Sequence, residues 1–78
     1  MNIMELTEIL RQEGFRSDAY NLGGGAQDEC YCLRESRGVW SVYYSERGLQ
    51  SGKKDFGNES EACAYFLQLV RKDATTRA

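Results

Sequence analysis

The chain lacks several features that other classes of protein need. Its 78 residues include no histidine and no proline, and no apolar run approaches the length of a membrane-spanning helix. Without histidine, the chain has neither the most common general base nor the most common metal ligand. Its first residues carry acid where a secretory signal carries base, so we expect a cytoplasmic protein with no membrane partner.

Cysteine and large apolar residues are also scarce. Three cysteines are an odd number, which favours reduced thiols over a disulfide framework. Isoleucine, leucine, valine and phenylalanine supply 15 of the 78 residues, close to the proportion found in disordered chains. The net charge is only −2, however, and five tyrosines and one tryptophan add apolar area. We therefore expect one small folded domain with a thin core.

Two segments have the spacing of amphipathic helices that begin at asparagine caps. The first covers about residues 3–13, where Asn2 and Glu5 form a capping box and Gly14 ends the helix. The second begins after Asn58, with Glu61 at the same spacing. The residues that follow it, 74–78, are predicted to be a frayed tail, so the domain covers residues 1–73.

Between the helices, the sequence predicts a loop over residues 16–27 and then three strands, over residues 29–35, 39–45 and 50–56. Short turns at 36–38 and 46–48 join the strands and indicate an antiparallel meander. The order is therefore α-β-β-β-α. We expect an α+β fold of two layers, with a three-stranded antiparallel sheet and both helices on one of its faces.

Alternation of side chains along each strand predicts which residues face the helices. With Leu10 and Phe66 from the helices, the more apolar set forms the predicted core: Tyr31, Leu33, Trp40, Val42, Tyr44 and Phe56. The set predicted to face outward is Cys30, Cys32, Arg34, Ser41, Tyr43, Ser45, Lys53 and Asp55.

Two short patterns resemble known chemical sites, one of them a cysteine pair and the other a phosphate-binding loop. Cys30 and Cys32 place two thiols on one side of a strand, but Cys63 is the only further cysteine available to a metal site. Residues 48–53 resemble a phosphate-binding loop that is one residue too short. We interpret both patterns as structural and expect no catalytic residue, no metal and no cofactor. A small redox enzyme remains an alternative that depends on Cys30 and Cys32.

The order of elements is also that of double-stranded RNA-binding domains. Those domains grip phosphates with lysines at the start of the last helix. Here the same position carries Asn58, Glu59, Ser60 and Glu61, whose charges repel a phosphate backbone. Because of these acids, we expect no nucleic-acid partner. The order of elements keeps a nucleic-acid-binding regulator as the alternative function.

One stretch of sequence is distinctive, W-x-V-Y-Y-S-E-R-G at residues 40–48. With residues 31–33, Phe56, residues 61–63 and residues 65–67, it resembles a family of small immunity proteins. Such proteins accompany bacterial polymorphic toxins delivered by contact-dependent inhibition or type VI secretion. The resemblance covers about residues 3–72. It implies a non-enzymatic antitoxin that binds and blocks one cognate toxin domain, and it carries over no contact residues.

We expect the toxin-binding surface on the outward face of the sheet and the adjoining end of the second hairpin. Tyrosine and arginine are typical interface anchors, and a tight turn presents its side chains at low entropic cost. The assigned residues are Tyr43, Glu46 and Arg47 at the centre, Arg34 beside Tyr43, and Asp18, Asp28 and Glu29 at the rim. The simpler interpretation is that these residues only stabilise the turn and fill the strand. When free, the chain is expected to be a monomer or a weak homodimer.

Overall fold

The structure is a computed structural model, and it describes residues 1–22 and 29–77. The predicted rim residue Asp28 and the end of the predicted tail, Ala78, lie outside the described residues. The elements are α1 (Ile3–Gln12), β1 (Tyr20–Asn21), β2 (Cys30–Ser36), β3 (Val39–Glu46), β4 (Leu49–Phe56), α2 (Glu59–Lys72) and the 3-10 helix η1 (Ala74–Thr76).

Both helices begin at the predicted asparagine caps. The Asn2 side chain accepts a hydrogen bond from the Glu5 amide at 2.8 Å, and the Glu5 carboxylate accepts one from the Asn2 amide at 3.1 Å. The amides of Gly14 and Phe15 bond back to carbonyls of the last turn of α1, which is a Schellman motif with Gly14 at φ 78°. Asn58 caps α2 by accepting a bond from the amide three residues later. Both predicted asparagine caps are therefore confirmed, together with the capping box of α1.

The sheet has four strands rather than the predicted three. The antiparallel meander of β2, β3 and β4 is confirmed, but β1 pairs in parallel with β2, placing Tyr20 opposite Tyr31. The sheet is mixed and its order is β1-β2-β3-β4, within the expected α+β class. The sequence predicts a loop over residues 16–27 because a two-residue strand is too short to show alternation.

Both hairpins turn through an arginine followed by a glycine. Arg37 and Gly38 have φ of 53° and 82°, and Arg47 and Gly48 have φ of 51° and 79°. Two successive positive φ values are what a type I′ turn requires, and its twist matches that of the flanking strands. The predicted turns are therefore confirmed, with an arginine held in an uncommon left-handed conformation in each.

A β-bulge interrupts the pairing of β3 with β4. Val42 lies opposite Lys54 and Tyr44 lies opposite Ser51, so β4 has one extra residue at this point. The extra residue is accommodated at Gly52, whose φ is 64°. The bulge reverses the alternation of side chains in the first half of β4 relative to the second half.

The core lies between the sheet and the two helices. Helix α2 packs across β2, β3 and β4, and α1 packs against α2. Leu10, Leu33, Val42 and Phe66 are fully buried in one cluster, as predicted, whereas Trp40 and Phe56 are only partly buried beside it. Because both helices contribute to this cluster, they lie on the same face of the sheet. Among the described residues, no helix combines the length and the apolar character needed to cross a membrane.

Residues 74–77 form a packed clasp, so the predicted frayed tail is wrong for them. Thr76 is 3% exposed, and its hydroxyl donates to the Val70 carbonyl at 2.7 Å. The Arg77 guanidinium lies over the Phe15 ring, 4.5 Å from its centroid, and the two residues form an isolated antiparallel bridge. The sequence gives no local signal for these contacts because they join the C-terminal clasp (residues 74–77) to the segment after α1.

Candidate functional site

The register of the sheet divides the predicted partner-binding surface between two faces. Arg34 and Tyr43 lie on the face that points away from the helices. Glu46 follows Val42 by four positions in β3 and pairs with Leu49, so both belong to the helix side of the sheet. The single predicted surface is therefore two separate sites: an outward groove and a hairpin end.

The outward groove crosses β2, β3 and β4 on the side without helices. Its volume is about 330 Å³, and its lining consists of Arg34, Glu35, Ser36, Ser41, Tyr43, Gln50 and Lys53. The two cations stand on the strands that flank β3, Arg34 on β2 and Lys53 on β4. Neither forms an ion pair with any residue in the described ranges.

Tyr43 faces outward as predicted, but it is not an exposed anchor. Only 5% of it is accessible, because it packs with Cys30 and Cys32 in a second buried cluster. The two thiol sulfurs are 3.8 Å apart. Tyr43 therefore contributes to the floor of the outward groove, and the prediction that it stands at the exposed centre of an interface is corrected.

The surroundings of the cysteines indicate a structural role. All three are reduced thiols outside any disulfide, and all three are buried. Burial raises the pKa of the Cys63 thiol, and the nearby Glu59 raises it further. A thiol with a raised pKa is held in its protonated, less nucleophilic form.

The hairpin end consists of Glu46, Arg47, Leu49 and Ser51. These residues line a shallow pocket of about 290 Å³. Leu49 is 71% exposed, although it is a large aliphatic residue. Leu49 is not among the predicted interface residues. Its signal in the sequence is an apolar residue directly after a turn glycine, followed by six residues that are polar or glycine.

Acidic side chains surround a tyrosine pair near the hairpin end. The rings of Tyr31 and Tyr44 meet edge to face with centroids 5.0 Å apart. Burial raises the pKa of Tyr44, and the charges of Glu29 and Glu46 raise it further. Glu29 and Glu46, two of the predicted interface acids, therefore lie near the same phenol.

The remaining acids near this region have partners of their own. Burial raises the pKa of Tyr31 to about 12, and the hydrogen bond that its hydroxyl donates to Asp73 at 3.0 Å contributes to the same shift. The predicted rim residue Asp18 is exposed and forms an ion pair with Arg16 at 3.6 Å. Glu29 therefore lies near Tyr44 together with Glu46, whereas Asp18 forms an ion pair with Arg16.

Within the described part of the chain, no group of three potential metal ligands converges. A comparison of the chain with protein-family models, curated proteins and solved structures finds no match. The outward groove and the hairpin end are therefore the candidate functional sites, identified by their residues and geometry.

Proposed function

We propose that the protein is a small immunity protein, a non-enzymatic cytoplasmic antitoxin that binds one cognate bacterial toxin domain and blocks it. The observation that carries this proposal is the hairpin end, where an exposed Leu49 stands beside Glu46 and Arg47 on a constrained turn. The resemblance of residues 40–48 to immunity proteins supplies the class of partner.

The hairpin end has the physical properties of an interface anchor. Burying a leucine side chain against a partner contributes about 1.5–3 kcal/mol. The type I′ turn already holds Arg47 at φ 51°, so binding orders little additional backbone. Arginine is enriched among residues whose removal weakens protein complexes most. An apolar centre flanked by two charges is the arrangement expected of a small, specific contact.

The acidic side chains near the hairpin end indicate the charge expected of the partner. Glu29 and Glu46 both act on the Tyr44 phenol, whose pKa they raise. A partner that presents basic groups is attracted to such a region, which increases its association rate at low salt. We therefore propose a toxin domain with a basic surface at the contact.

The test uses the toxin domain encoded beside the gene for this protein and titration calorimetry. Truncating a central anchor costs about 2 kcal/mol, so Leu49→Ala is expected to weaken binding about thirtyfold. Arg47→Ala is expected to weaken it as well. The first hairpin offers matched controls in Arg37→Ala and Val39→Ala, which alter a turn of the same type and an exposed aliphatic residue.

Three outcomes separate the parts of the proposal. Selective loss of affinity in the Leu49 and Arg47 variants supports the hairpin end as the contact. Parental affinity in both variants, with the toxin still bound, places the contact elsewhere. Absence of any binding to the adjacent toxin domain, or of protection when the two are co-expressed, overturns the immunity function itself.

The alternative function, nucleic-acid binding, meets an obstacle at the start of α2. The Glu59 carboxylate accepts a hydrogen bond from the Ile3 amide at 2.9 Å, which holds an acid where RNA-binding domains of this order carry lysines. A gel-shift series with duplex RNA at low salt decides between the two functions. A complex that weakens steeply as salt rises favours nucleic-acid binding over the immunity function.

A further inference from the structure

The outward groove is a trough between two cations. Arg34 on β2 lies opposite Ser41 on β3, and Lys53 stands on β4 beside the bulge that faces Tyr43. Neighbouring strands are about 4.8 Å apart, and Lys53 lies two residues along β4 from Asp55, the partner of Ser41, so the backbones at the two cations are separated by about 12 Å. Both side chains are long enough to reach the same bound group from opposite walls.

The bulge at Gly52 builds one wall of this trough. Gln50 and Lys53 are three positions apart, so regular alternation would place them on opposite faces of the sheet. The extra residue at Gly52 brings both onto the outward face, where both line the groove. Bulges commonly re-aim side chains in this way beside binding sites. The backbone irregularity thus has a specific consequence for the chemistry of the surface.

Acids near the groove already have donors. The Glu35 carboxylate accepts a hydrogen bond from the Gly38 amide at 2.8 Å, and the Asp55 carboxylate accepts one from the Ser41 hydroxyl at 2.6 Å. Arg34 and Lys53 have no ion pair within residues 1–22 and 29–77. The positive charge of the groove is therefore available to an external anion.

Elsewhere on the chain, several cations are held by the fold. Arg16 pairs with Asp18, while Arg71 and Arg77 both pair with Glu13. On β4 itself, the Lys54 ammonium lies over a tyrosine ring of α2, 5.1 Å from its centroid. Lys53, its neighbour in sequence, faces the opposite side of the sheet and lines the groove. The two lysines therefore form a natural pair of test and control.

We infer that the outward groove is a second binding site, which takes the carboxylate side chains of an acidic, extended polypeptide segment of a partner protein. The planar fork of Arg34 matches a carboxylate, Lys53 supplies a point charge, and Ser36 and Gln50 add neutral polar groups. Acidic residues two positions apart in an extended segment lie about 7 Å apart on one side, within reach of both cations.

The charge balance favours carboxylates over a nucleic-acid backbone. Glu35 lines the groove between the two cations and Asp55 bonds to Ser41 beside it, so the groove offers two separate positive charges and not a continuous basic surface. A nucleic acid presents a continuous row of phosphates and needs a matching row of cations. Two separated cations fit two individual carboxylates instead.

The groove can be tested without the toxin. The probe is the capped pentapeptide acetyl-Ser-Glu-Ser-Glu-Ser-amide, titrated into the ¹⁵N-labelled full chain at low salt and followed by amide chemical shifts. We expect saturable shifts centred on Arg34, Ser41 and Lys53. The glutamine peptide, acetyl-Ser-Gln-Ser-Gln-Ser-amide, is expected to produce none, and raising the salt concentration is expected to weaken the binding of the acidic peptide.

Matched variants separate a specific site from general attraction. Arg34→Gln and Lys53→Gln are each expected to weaken peptide binding about threefold to fivefold. Arg37→Gln and Lys54→Gln remove the same charge beside the groove and on the helix side, and both are expected to bind as the parent does. The amide spectrum of each free variant shows whether its fold is kept.

Four results overturn the inference. They are shifts that do not saturate, equal shifts with the glutamine peptide, equal losses in the test and control variants, and inorganic phosphate that binds the groove as tightly as the acidic peptide. Leu49→Ala is expected to leave peptide binding unchanged, so failure at the groove and failure at the hairpin end are distinguishable.

Discussion

Ending the chain after Asp73 removes the C-terminal clasp and is expected to destabilise the fold measurably. The clasp makes contacts of three kinds. The Thr76 hydroxyl lies 2.7 Å from the carbonyls of Val70 and Asp73, and the Thr76 carbonyl accepts the Arg16 amide at 2.8 Å. The third contact is the guanidinium of Arg77, which lies over the Phe15 ring, donates to the Glu13 carbonyl at 2.8 Å and pairs with the Glu13 carboxylate.

The expected loss follows from these contacts. A buried hydrogen bond contributes about 1 kcal/mol, and the clasp supplies one through the Thr76 hydroxyl and one through its carbonyl. The cation–π contact of Arg77 adds about 0.5–1 kcal/mol at an exposed site. The free energy of unfolding is therefore expected to fall by about 2–3 kcal/mol, out of about 4–12 kcal/mol for a domain of this size.

Urea unfolding, followed by the fluorescence of Trp40, measures this change. Two adjacent threonines provide a matched pair of substitutions. Thr76→Val removes a buried hydroxyl and is expected to cost about 1–2 kcal/mol, whereas Thr75→Val removes only an exposed hydrogen bond to Asp73 and is expected to cost less than about 0.5 kcal/mol. An unchanged urea midpoint for the truncated chain would refute the packing of the clasp and restore the frayed tail.

Three further predictions concern the core, a tyrosine and the thiols. Phe66→Ala is expected to lower the free energy of unfolding by about 3–5 kcal/mol because Phe66 is fully buried, while Gln68→Ala on the exposed side of α2 serves as the control; an unchanged melt contradicts the packing of α2. Asp73→Asn is expected to lower the pKa of Tyr31 from about 12, read by ultraviolet titration of the phenol. Because the pKa of Tyr31 is raised in the fold, its contribution to the free energy of unfolding is fully present below pH 10 and is lost as pH rises through about 12. A Tyr31 pKa that stays near 12 in the Asp73→Asn variant contradicts the role of Asp73. The three thiols are expected to react with a thiol reagent only in denaturant, since all are buried and the pKa of Cys63 is raised; rapid native-state labelling contradicts this.

Sequence reasoning located the features that depend on neighbouring residues. The caps at Asn2 and Asn58 act within three residues, and Gly14 ends α1 through bonds inside one turn. The turns at Gly38 and Gly48 need only a positive φ at adjacent positions. Such contacts join residues only a few positions apart, so the residues that make them can be recognised from their spacing in the sequence.

The candidate sites were only partly predictable for a specific reason. Arg34, Glu46 and Arg47 were singled out because their residue types and turn position are typical of interfaces. Strict alternation, however, does not allow for the bulge at Gly52. That one extra residue brings Gln50 onto the outward face and places Leu49 on the helix side.

The sequence by itself determined the α+β class, the helix caps, the two hairpins and four of the fully buried residues of the main core, Leu10, Leu33, Val42 and Phe66. Only the tertiary structure decided that β1 pairs with β2, that Tyr43 is buried with two cysteines, and that the C-terminal clasp packs on Phe15. These features join segments far apart in the chain. Their stability comes from partners that no local pattern names, so they exist only once the sheet and helices have assembled.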